Sequence, residues 1–296
     1  MPQGHVIRSH SNIYYVLVDG EIIECRPRGR FRLDRTGVLA GDRVEVHIEQ
    51  RSGDKKEGRI EAVLERATVL QRPPVANVEQ ALIVFTLAQP EADFPFLDRV
   101  LIHVEQAGVK PVILLNKIDL VEPERVARFV KEYQEQVGYP VHTLSAVAGT
   151  GMAQIPELLH DKVSVLAGHS GVGKSRLVRA LLPDRQDIRV GDLSEKLGRG
   201  KHTTRHVELI PLPAGGLIVD APGFTYLEFA GMEKWDLRDF FPEFRSRQHD
   251  CRFDDCLHAK EPDCAVQAAV AAGEIPASRY QNYRHFLTEV EALKRW

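Results

Sequence analysis

One glycine-rich segment has the residue types and spacing of a phosphate-binding loop. Residues 168–175 have the sequence GHSGVGKS, which fits the P-loop pattern G-x-x-x-x-G-K-S. In that pattern backbone N–H groups surround phosphate oxygens, the lysine reaches the terminal phosphates and the serine ligates Mg²⁺. Lys174 is therefore also a predicted catalytic residue. The predicted phosphate contacts are Gly168, His169, Ser170, Gly171, Val172, Gly173, Lys174 and Ser175.

Two segments that follow the P-loop supply the rest of a phosphate and Mg²⁺ site. Residues 220–223 have the DxxG pattern, in which Asp220 holds Mg²⁺ through water and Gly223 donates its N–H to the γ-phosphate. Thr203 and Thr204 lie between the P-loop and DxxG, at the place of a switch threonine that meets Mg²⁺. We favour Thr204, which is also a predicted catalytic residue. The predicted Mg²⁺ ligands are thus Ser175, Thr204 and Asp220.

A further segment predicts that the bound base is guanine. Residues 116–119 have the NKxD sequence NKID, and Ser145-Ala146 is its partner segment. Asp119 accepts from the N1–H and the exocyclic amine of guanine, and a base without that donor pair leaves the carboxylate unpaired at a cost of about 1–3 kcal/mol. Asn116 is expected to buttress the P-loop and Lys117 to lie along the base. The N–H of Ala146 is expected to meet the guanine carbonyl, so GTP with Mg²⁺ is the predicted ligand.

The order of these motifs along the chain is unusual. The NKxD segment and Ser145-Ala146 precede the P-loop, whereas in an ordinary small GTPase they follow it. Moving the strand-like runs at 163–167, 207–212 and 217–220 to the front restores the ordinary order. The G domain is therefore predicted to be circularly permuted.

The residue after DxxG bears on hydrolysis. Many GTPases place there a glutamine that orients the attacking water, whereas this chain has Phe224. Slow unaided hydrolysis is the expected consequence, with a partner surface or another side chain supplying the missing function. His202 is the nearest residue with suitable chemistry and is a predicted catalytic residue, with a structural role as the alternative.

A cysteine and histidine cluster has the composition of a metal site. Its members are Cys251, Cys256, His258 and Cys264. Three thiolates and one imidazole suit tetrahedral Zn²⁺ with no open position, which predicts a structural site. The alternative of incidental cysteines in a helical core does not fit polar neighbours such as Asp254 and Asp255. Cys25 is interpreted as a small buried hydrophobic residue, and His249 as a surface residue.

The elements that must position these residues form consecutive blocks. Residues 1–65 alternate short β-type runs with turns and predict a five-stranded OB-type barrel, and residues 66–78, with two adjacent prolines, predict a linker. Residues 79–228 contain six strand-like runs and helical stretches at 96–107, 122–137 and 174–182. They predict an α/β GTPase domain with a mainly parallel sheet and the motifs at the carboxyl ends of its strands. Residues 229–296 have helical spacing at 237–247, 262–272 and 278–296 and predict a helical zinc-binding domain.

Composition narrows the class of protein. The chain has 296 residues, 43% hydrophobic and 27% charged, with a formal net charge of −3, which is ordinary for a soluble globular protein. No apolar run approaches the roughly 20 residues of a membrane span, and the N-terminal sequence is not that of a secretory signal. A cytoplasmic monomer without membrane contact is expected.

An arginine-rich stretch of the predicted barrel leaves two interpretations open. Around Phe31, residues 23–38 carry Arg26, Arg28, Arg30, Arg32 and Arg35. Such a stretch suits contact with an RNA backbone, but a solvated charged loop has the same composition. The net charge of −3 gives no global basic signature that would decide between the two.

Taken together, the motifs resemble those of the RsgA (YjeQ/YloQ) family of ribosome small subunit-dependent GTPases. The resemblance rests on the β-barrel, NKID before GHSGVGKS, then GKHTTR, DAPGF and the spacing Cys-x4-Cys-x-His-x5-Cys, and it covers nearly the whole chain. In that family an OB-fold binds RNA, the central domain binds GTP, and the zinc domain helps to dock the protein on the small ribosomal subunit late in its assembly.

The resemblance implies a function for this chain. It implies a GTP hydrolase that is stimulated by the small ribosomal subunit and acts in late 30S assembly by binding 16S rRNA. It implies the same nucleotide and zinc residues as the motifs, and it assigns rRNA contacts to Arg28, Arg30 and Arg32. An RNA-binding assembly factor with incidental hydrolysis remains the alternative because of Phe224, whereas the NKxD segment disfavours a small-molecule kinase.

Overall fold

The structure is a computed structural model that describes residues 1–27, 37–49, 56–71, 74–182, 207–220 and 227–293. These residues divide into two compact units. The first contains the described residues of Met1–Leu82, Ala153–Ser170 and Lys174–Thr225, and the second contains those of Ile83–Met152, Gly171–Gly173 and Tyr226–Trp296.

The N-terminal part of the first unit is a closed five-stranded barrel. Its strands are β1 (Gln3–His10), β2 (Ile13–Val18), β3 (Glu21–Pro27), β4 (Arg43–Glu49) and β5 (Glu57–Val63), in the order β1-β2-β3-β5-β4. The pair β3/β5 is parallel and the other pairs of the barrel are antiparallel. Aliphatic side chains that alternate along the strands fill its interior, together with the buried Cys25. The predicted barrel is therefore confirmed, and Cys25 is the buried residue that the sequence indicated.

Residues 66–78, predicted as a linker, include two short strands that are fixed to the barrel. Strands β6 (Val69–Gln71) and β7 (Pro74–Ala76) pair antiparallel. Arg66 forms a bidentate ion pair with the buried Asp42 at 2.6 and 2.7 Å, and the side-chain amide of Asn77 donates to the carbonyl of Gly41 at 3.0 Å. Gly41 has a φ of +87°, and a Cβ there would lie 2.0 Å from the carbonyl oxygen of Ala76, so this approach requires glycine.

The central sheet has six strands. They are β8 (Gln80–Thr86), β9 (Lys110–Asn116), β10 (Val141–Thr143), β11 (Val163–Ala167), β12 (Glu208–Pro211) and β13 (Leu217–Asp220), in the order β10-β9-β8-β11-β13-β12. The pairs β9/β10 and β11/β13 are parallel, and β12/β13 is antiparallel. Every residue of β8 and of β11 is buried, as expected for strands covered on both faces. The predicted mainly parallel sheet is therefore confirmed.

Among the residues that the structure describes, four α-helices accompany the sheet. Helices α1 (Phe94–Gln106) and α2 (Pro123–Val130) belong to the second unit, and α3 (Ile155–Leu159) and α4 (Lys174–Leu181) belong to the first. Helix α1 begins at an Asp93 cap whose carboxylate accepts from the N–H of Phe96 at 3.0 Å. Helix α2 continues as a π-helical segment, Lys131–Gln136, so the predicted helical stretch 122–137 is present but not uniformly α-helical.

Between residues 227 and 293, the C-terminal range that the structure describes, four α-helices belong to the second unit: α5 (Lys234–Asp239), α6 (Pro242–Arg245), α7 (Ala265–Ala271) and α8 (Ala277–Leu293). The prediction of one helix over 237–247 was wrong, because Pro242 lacks an N–H and keeps Phe241 extended, which splits the stretch into α5 and α6. The helix predicted from Pro262 starts three residues later, at Ala265, where the thiol of Cys264 accepts from the N–H of Gln267 at 3.5 Å.

A buried charge cluster joins α1, α6 and α8 within the second unit. The guanidinium of Arg279 donates to Asp98 at 2.7 Å and to both carboxylate oxygens of Glu243 at 2.8 and 3.1 Å. The hydroxyl of Tyr133 and the amide of Asn282 also donate to Asp98, at 2.9 and 2.6 Å. Burial alone would lower the pKa of Arg279, but Asp98 and Glu243 raise it above its usual value. The C-terminal helices are thus tied to the helix that follows β8.

Candidate functional site

The P-loop has the strand, loop and helix arrangement that its sequence predicts. Strand β11 ends at Ala167, and α4 starts at Lys174. The three glycines between them, Gly168, Gly171 and Gly173, have φ values of +133°, +82° and +105°. Such backbone angles favour glycine and allow successive N–H groups to converge on an anion. Ser175 lies in the first turn of α4, where the helix dipole favours phosphate.

The side chain of Lys174 folds back onto the P-loop. Its ammonium donates to the carbonyls of Gly168 at 2.6 Å and of His169 at 2.7 Å. Burial lowers its pKa to about 8, because desolvation penalises the charged form. A phosphate would supply the negative charge that these neutral carbonyls lack, so phosphate binding is expected to raise this pKa.

Asp220 lies at the same edge of the sheet as the P-loop. Strands β11 and β13 are parallel, with Val165 opposite Val219, so both chains leave the sheet in the same direction. Asp220 is the last residue of β13. The backbone of the first unit therefore places the start of the DxxG segment next to the strand that leads into the P-loop.

In the second unit, Asn116 connects the other motifs. It is buried at the end of β9, and its amide group donates to the carbonyl of Val172 in the P-loop at 2.8 Å. Its side-chain oxygen accepts from the N–H of Ala146 at 3.1 Å. One side chain thus joins the NKxD segment, the P-loop and the Ser145-Ala146 segment, and the predicted contact of Asn116 with the P-loop is present. The N–H of Ala146, which is expected to meet a guanine carbonyl, donates to Asn116 in this structure.

Lys117 and Asp119 lie beyond Asn116 with different surroundings. Lys117 has a φ of +62°, and its ammonium contacts the carbonyls of Gln89 and, at 2.8 Å, of Gly171. Asp119 is exposed in a short 3₁₀ turn, Ile118–Leu120, and within the described part of the chain its carboxylate has no hydrogen-bond or ion-pair partner. Asp119 is therefore available as an acceptor, whereas Lys117 braces the loop.

Ser145 shapes the segment that carries Ala146. It is buried, its hydroxyl accepts from the N–H of Ala148 at 3.0 Å, and its own N–H donates to the carbonyl of Thr150 at 2.9 Å. These bonds close a compact turn after β10. The structure thus gives Ser145 a role in shaping the loop, and its predicted nucleotide contact stays a prediction.

Sequence reasoning did not identify Gln89 as part of this site. Its contribution is a backbone carbonyl, which accepts from Lys117 and would be the same for any side chain. Its position just after β8 is the one signal that the sequence offers, since ligand sites in such sheets lie beyond the carboxyl ends of the strands.

Several predicted site residues lie outside the described residues. They are the catalytic and Mg²⁺ residues His202 and Thr204, the switch residues Thr203, Gly223 and Phe224, and the predicted RNA contacts Arg28, Arg30 and Arg32. Their predicted roles stay predictions.

The site predicts a large effect for Gly173→Ala. A Cβ at this position would lie 2.3 Å from the side-chain nitrogen of Asn116, in addition to the cost of the positive φ. We expect nucleotide affinity to fall at least tenfold, measured by titration with a fluorescent guanine nucleotide. Gly108→Ala is the matched control, because Gly108 also has a positive φ of +68° but has open space around its Cβ position. Equal affinities of the two variants would contradict the prediction.

The cysteine and histidine cluster also comes together. Nδ1 of His258 lies 3.6 Å from Sγ of Cys251 and 3.3 Å from Sγ of Cys264, and the two sulfurs are 3.9 Å apart. With Cys256, the four ligand atoms lie within 4.8 Å of one another. A tetrahedral zinc site has S···S separations of about 3.8 Å and S···N separations of about 3.6 Å, from bonds of about 2.3 and 2.0 Å. The cluster therefore has the dimensions to hold one metal ion.

The protonation of this cluster also fits a metal site. Burial lowers the pKa of His258 to about 4, so its imidazole is neutral, which is the form that binds metals. Burial raises the pKa of Cys256 to about 12, so its thiol needs a nearby cation in order to ionise. His249, in the 3₁₀ turn Gln248–Asp250 before the cluster, is not among the four converging residues.

A membrane-spanning segment is not found among the helices that the structure describes, since none combines the length and the apolar composition that a bilayer requires.

Comparison with known proteins gives matches over nearly the whole chain. The model of the RsgA N-terminal domain matches residues 3–60, and the model of the RsgA GTPase matches residues 63–230. The protein of Shouchella clausii named small ribosomal subunit biogenesis GTPase RsgA is 45% identical over 298 aligned positions, covering 100% of this chain and 99% of that protein. The protein of the same name from Geobacillus kaustophilus is 46% identical over 297 positions, covering 99% of both chains.

Solved structures agree with these sequence matches. The crystal structure of YloQ, described as a circularly permuted GTPase, is 38% identical with a TM-score of 0.83 and covers 100% of this chain and 97% of its own. The crystal structure of YjeQ from Thermotoga maritima is 37% identical with a TM-score of 0.83, and the match covers 100% of this chain and 99% of the YjeQ chain. The predicted circular permutation is therefore confirmed, and this chain belongs to the RsgA GTPase family.

Proposed function

We propose that this protein binds GTP with Mg²⁺ and hydrolyses it to GDP and phosphate. The observation that carries the proposal is the buried side chain of Asn116, which joins the NKxD segment to Val172 of the P-loop at 2.8 Å. A guanine nucleotide has its base at one end and its phosphates at the other. A side chain that ties the base-binding segment to the phosphate loop is what such a ligand requires.

Each motif residue has a role in this proposal. Asp119 accepts from the guanine base, Lys117 braces the P-loop below it, and Ala146 offers its N–H to the base once the nucleotide displaces Asn116 as its partner. The P-loop N–H groups and Lys174 bind the phosphates, where positive charge stabilises the charge that develops on the transferred phosphoryl group. Gly223 donates to the γ-phosphate, and the residues that would hold Mg²⁺ are Ser175, Thr204 and Asp220.

The group that orients the attacking water is assigned to His202. Phe224 has no donor or acceptor with which to hold water, and His202 lies in the switch segment next to the threonine pair. With this arrangement the protein is a slow GTPase by itself. A binding partner accelerates hydrolysis by positioning the switch segment.

The partner assigned to this protein is the small ribosomal subunit. The relatives from Shouchella clausii and Geobacillus kaustophilus are named small ribosomal subunit biogenesis GTPases. We assign the protein to late assembly of the small subunit, in the cytoplasm and as a monomer. By its resemblance to the family, the barrel is assigned to 16S rRNA through Arg28, Arg30 and Arg32, whose positive charge suits a phosphate backbone.

The metal assigned to the cluster is Zn²⁺. Three sulfur ligands and one nitrogen ligand favour zinc over harder cations, and four protein ligands leave no position for a substrate. Cys251, Cys256, His258 and Cys264 would hold the ion, which supplies a covalent cross-link between the segments before α7 and no catalytic chemistry.

Multiple-turnover hydrolysis of GTP, measured with and without purified small subunits, tests the function. A large acceleration by small subunits, with ATP turned over far more slowly than GTP, is expected. His202→Ala is expected to bind GTP like the wild type but to lose most of the acceleration. Binding to small subunits that leaves turnover unchanged would instead favour the alternative, an assembly factor in which GTP only stabilises a shape.

A further inference from the structure

The loop that carries His258 is organised by one carboxylate. Glu261 accepts three backbone hydrogen bonds, from Leu257 at 3.0 Å, from Ala259 at 2.8 Å and from Lys260 at 2.9 Å. Hydrogen bonds from N–H groups to a carboxylate are charge-assisted and stronger than neutral ones. The N–H groups on both sides of His258 therefore converge on a single side chain.

The carbonyl groups of the same loop are bound by side chains of other helices. The hydroxyl of Tyr280 donates to the carbonyl of His258 at 2.7 Å, and the hydroxyl of Tyr283 donates to that of Leu257 at 2.5 Å. Arg238 on α5 donates to the carbonyl of Cys256 at 2.7 Å. The N–H groups of this loop are thus bonded to Glu261, and its carbonyl groups are bonded to side chains of α5 and α8.

His258 needs this support because its backbone is left-handed. Its φ is +56°, a region that costs a residue with a Cβ about 1–2 kcal/mol. This conformation brings Nδ1 of its ring to 3.3 Å from the sulfur of Cys264 and 3.6 Å from that of Cys251. A relaxed backbone at this position would turn the imidazole away from both sulfurs.

We infer that Glu261 is a positioning residue of the metal centre. Together with Tyr280, it holds His258 in the left-handed conformation that ligation needs. The inference rests on the proposed metal site. Partners that orient a metal ligand without touching the metal typically contribute tenfold to hundredfold to metal affinity. None of these contacts follows from the ligand spacing, since Glu261 is one of the five residues between His258 and Cys264.

The test compares metal binding by the full-length wild type, Glu261→Gln and Glu291→Gln. Glu261→Gln keeps the size of the side chain but presents an amide N–H₂ group, which cannot accept, to the N–H donors of the loop. Glu291→Gln is the matched control, because Glu291 is exposed on α8. Zn²⁺ affinity is measured by competition with a chromophoric chelator. The absorption spectrum of the Co²⁺-substituted protein reports whether ligation remains tetrahedral with thiolates.

We expect a tenfold to hundredfold loss of Zn²⁺ affinity and an altered Co²⁺ spectrum for Glu261→Gln, and wild-type behaviour for Glu291→Gln. Wild-type affinity and spectrum in a folded Glu261→Gln protein would overturn the inference. If that variant is obtained only unfolded, Tyr280→Phe decides, because it removes the hydroxyl that donates to the carbonyl of His258, and unchanged affinity would again overturn it. Failure of the wild type itself to bind Zn²⁺ would refute the metal site, an outcome that is distinct from unchanged affinity in either variant.

Discussion

Replacing Asp119 with asparagine is expected to weaken GTP binding by a factor of about 10² to 10⁴ and to shift the preference to xanthosine triphosphate. Two charge-assisted hydrogen bonds to guanine are lost, each worth about 1.5–3 kcal/mol, and every 1.4 kcal/mol is a factor of ten in affinity. Xanthine has a carbonyl where guanine has its exocyclic amine. The introduced amide can donate to that carbonyl, so the altered base restores the complementarity.

The position of Asp119 separates the effect of the substitution on nucleotide binding from any effect on the fold. The carboxylate is exposed in the turn Ile118–Leu120 and has no protein partner among the described residues, so the substitution leaves the fold intact. Dissociation constants for the two nucleotides, measured by calorimetry, give the result. Glu124→Gln on α2, which is also exposed, is the control for loss of one negative charge. Unchanged GTP affinity in the Asp119 variant would remove Asp119 from the base site.

Removing the buried guanidinium of Arg279 is expected to produce the largest loss of stability. Arg279 and Asp98 have fully buried side chains, and that of Glu243 is 1% exposed. Deleting one partner of a buried ion pair leaves an uncompensated charge in a medium of low polarity, at a cost of about 3–5 kcal/mol. For Arg279→Ala this corresponds to a melting temperature lower by roughly 6–20 °C.

Thermal unfolding followed by circular dichroism measures this effect. Arg125→Ala, an exposed arginine of α2 in the same unit, is expected to change the melting temperature by little. Adding Asp98→Asn and Glu243→Gln to Arg279→Ala should recover part of the loss, because the unpaired charges are then gone. Equal melting temperatures for the Arg279 and Arg125 variants would show that the cluster does not hold the unit together.

Much of this structure could be predicted from short stretches of sequence. Short β-type runs separated by turns predicted the barrel, and the apolar runs of β8 and β11 indicated strands covered on both faces. The P-loop and the NKxD segment are local patterns, in which residues close together in the sequence contribute to the same binding site. Asn116 was expected to support the P-loop, and its bond to Val172 does so.

The remainder depended on contacts between residues far apart in the chain. The two short strands at 69–71 and 74–76 lie against the barrel through Gly41 and Asn77, a contact that the paired prolines gave no reason to expect. The bond from Ala146 to Asn116 joins residues 30 positions apart, and no spacing rule indicates it. Packing, and not local preference, decided these features.

Helix α8 carries two sets of contacts within little more than one turn. Arg279 and Asn282 bond to Asp98 on α1, while Tyr280 and Tyr283 bond to the loop around His258. Residues 279–283 span about 6 Å along the helix axis, over which an α-helix is rigid. This one stretch of α8 therefore couples the loop around His258 mechanically to α1.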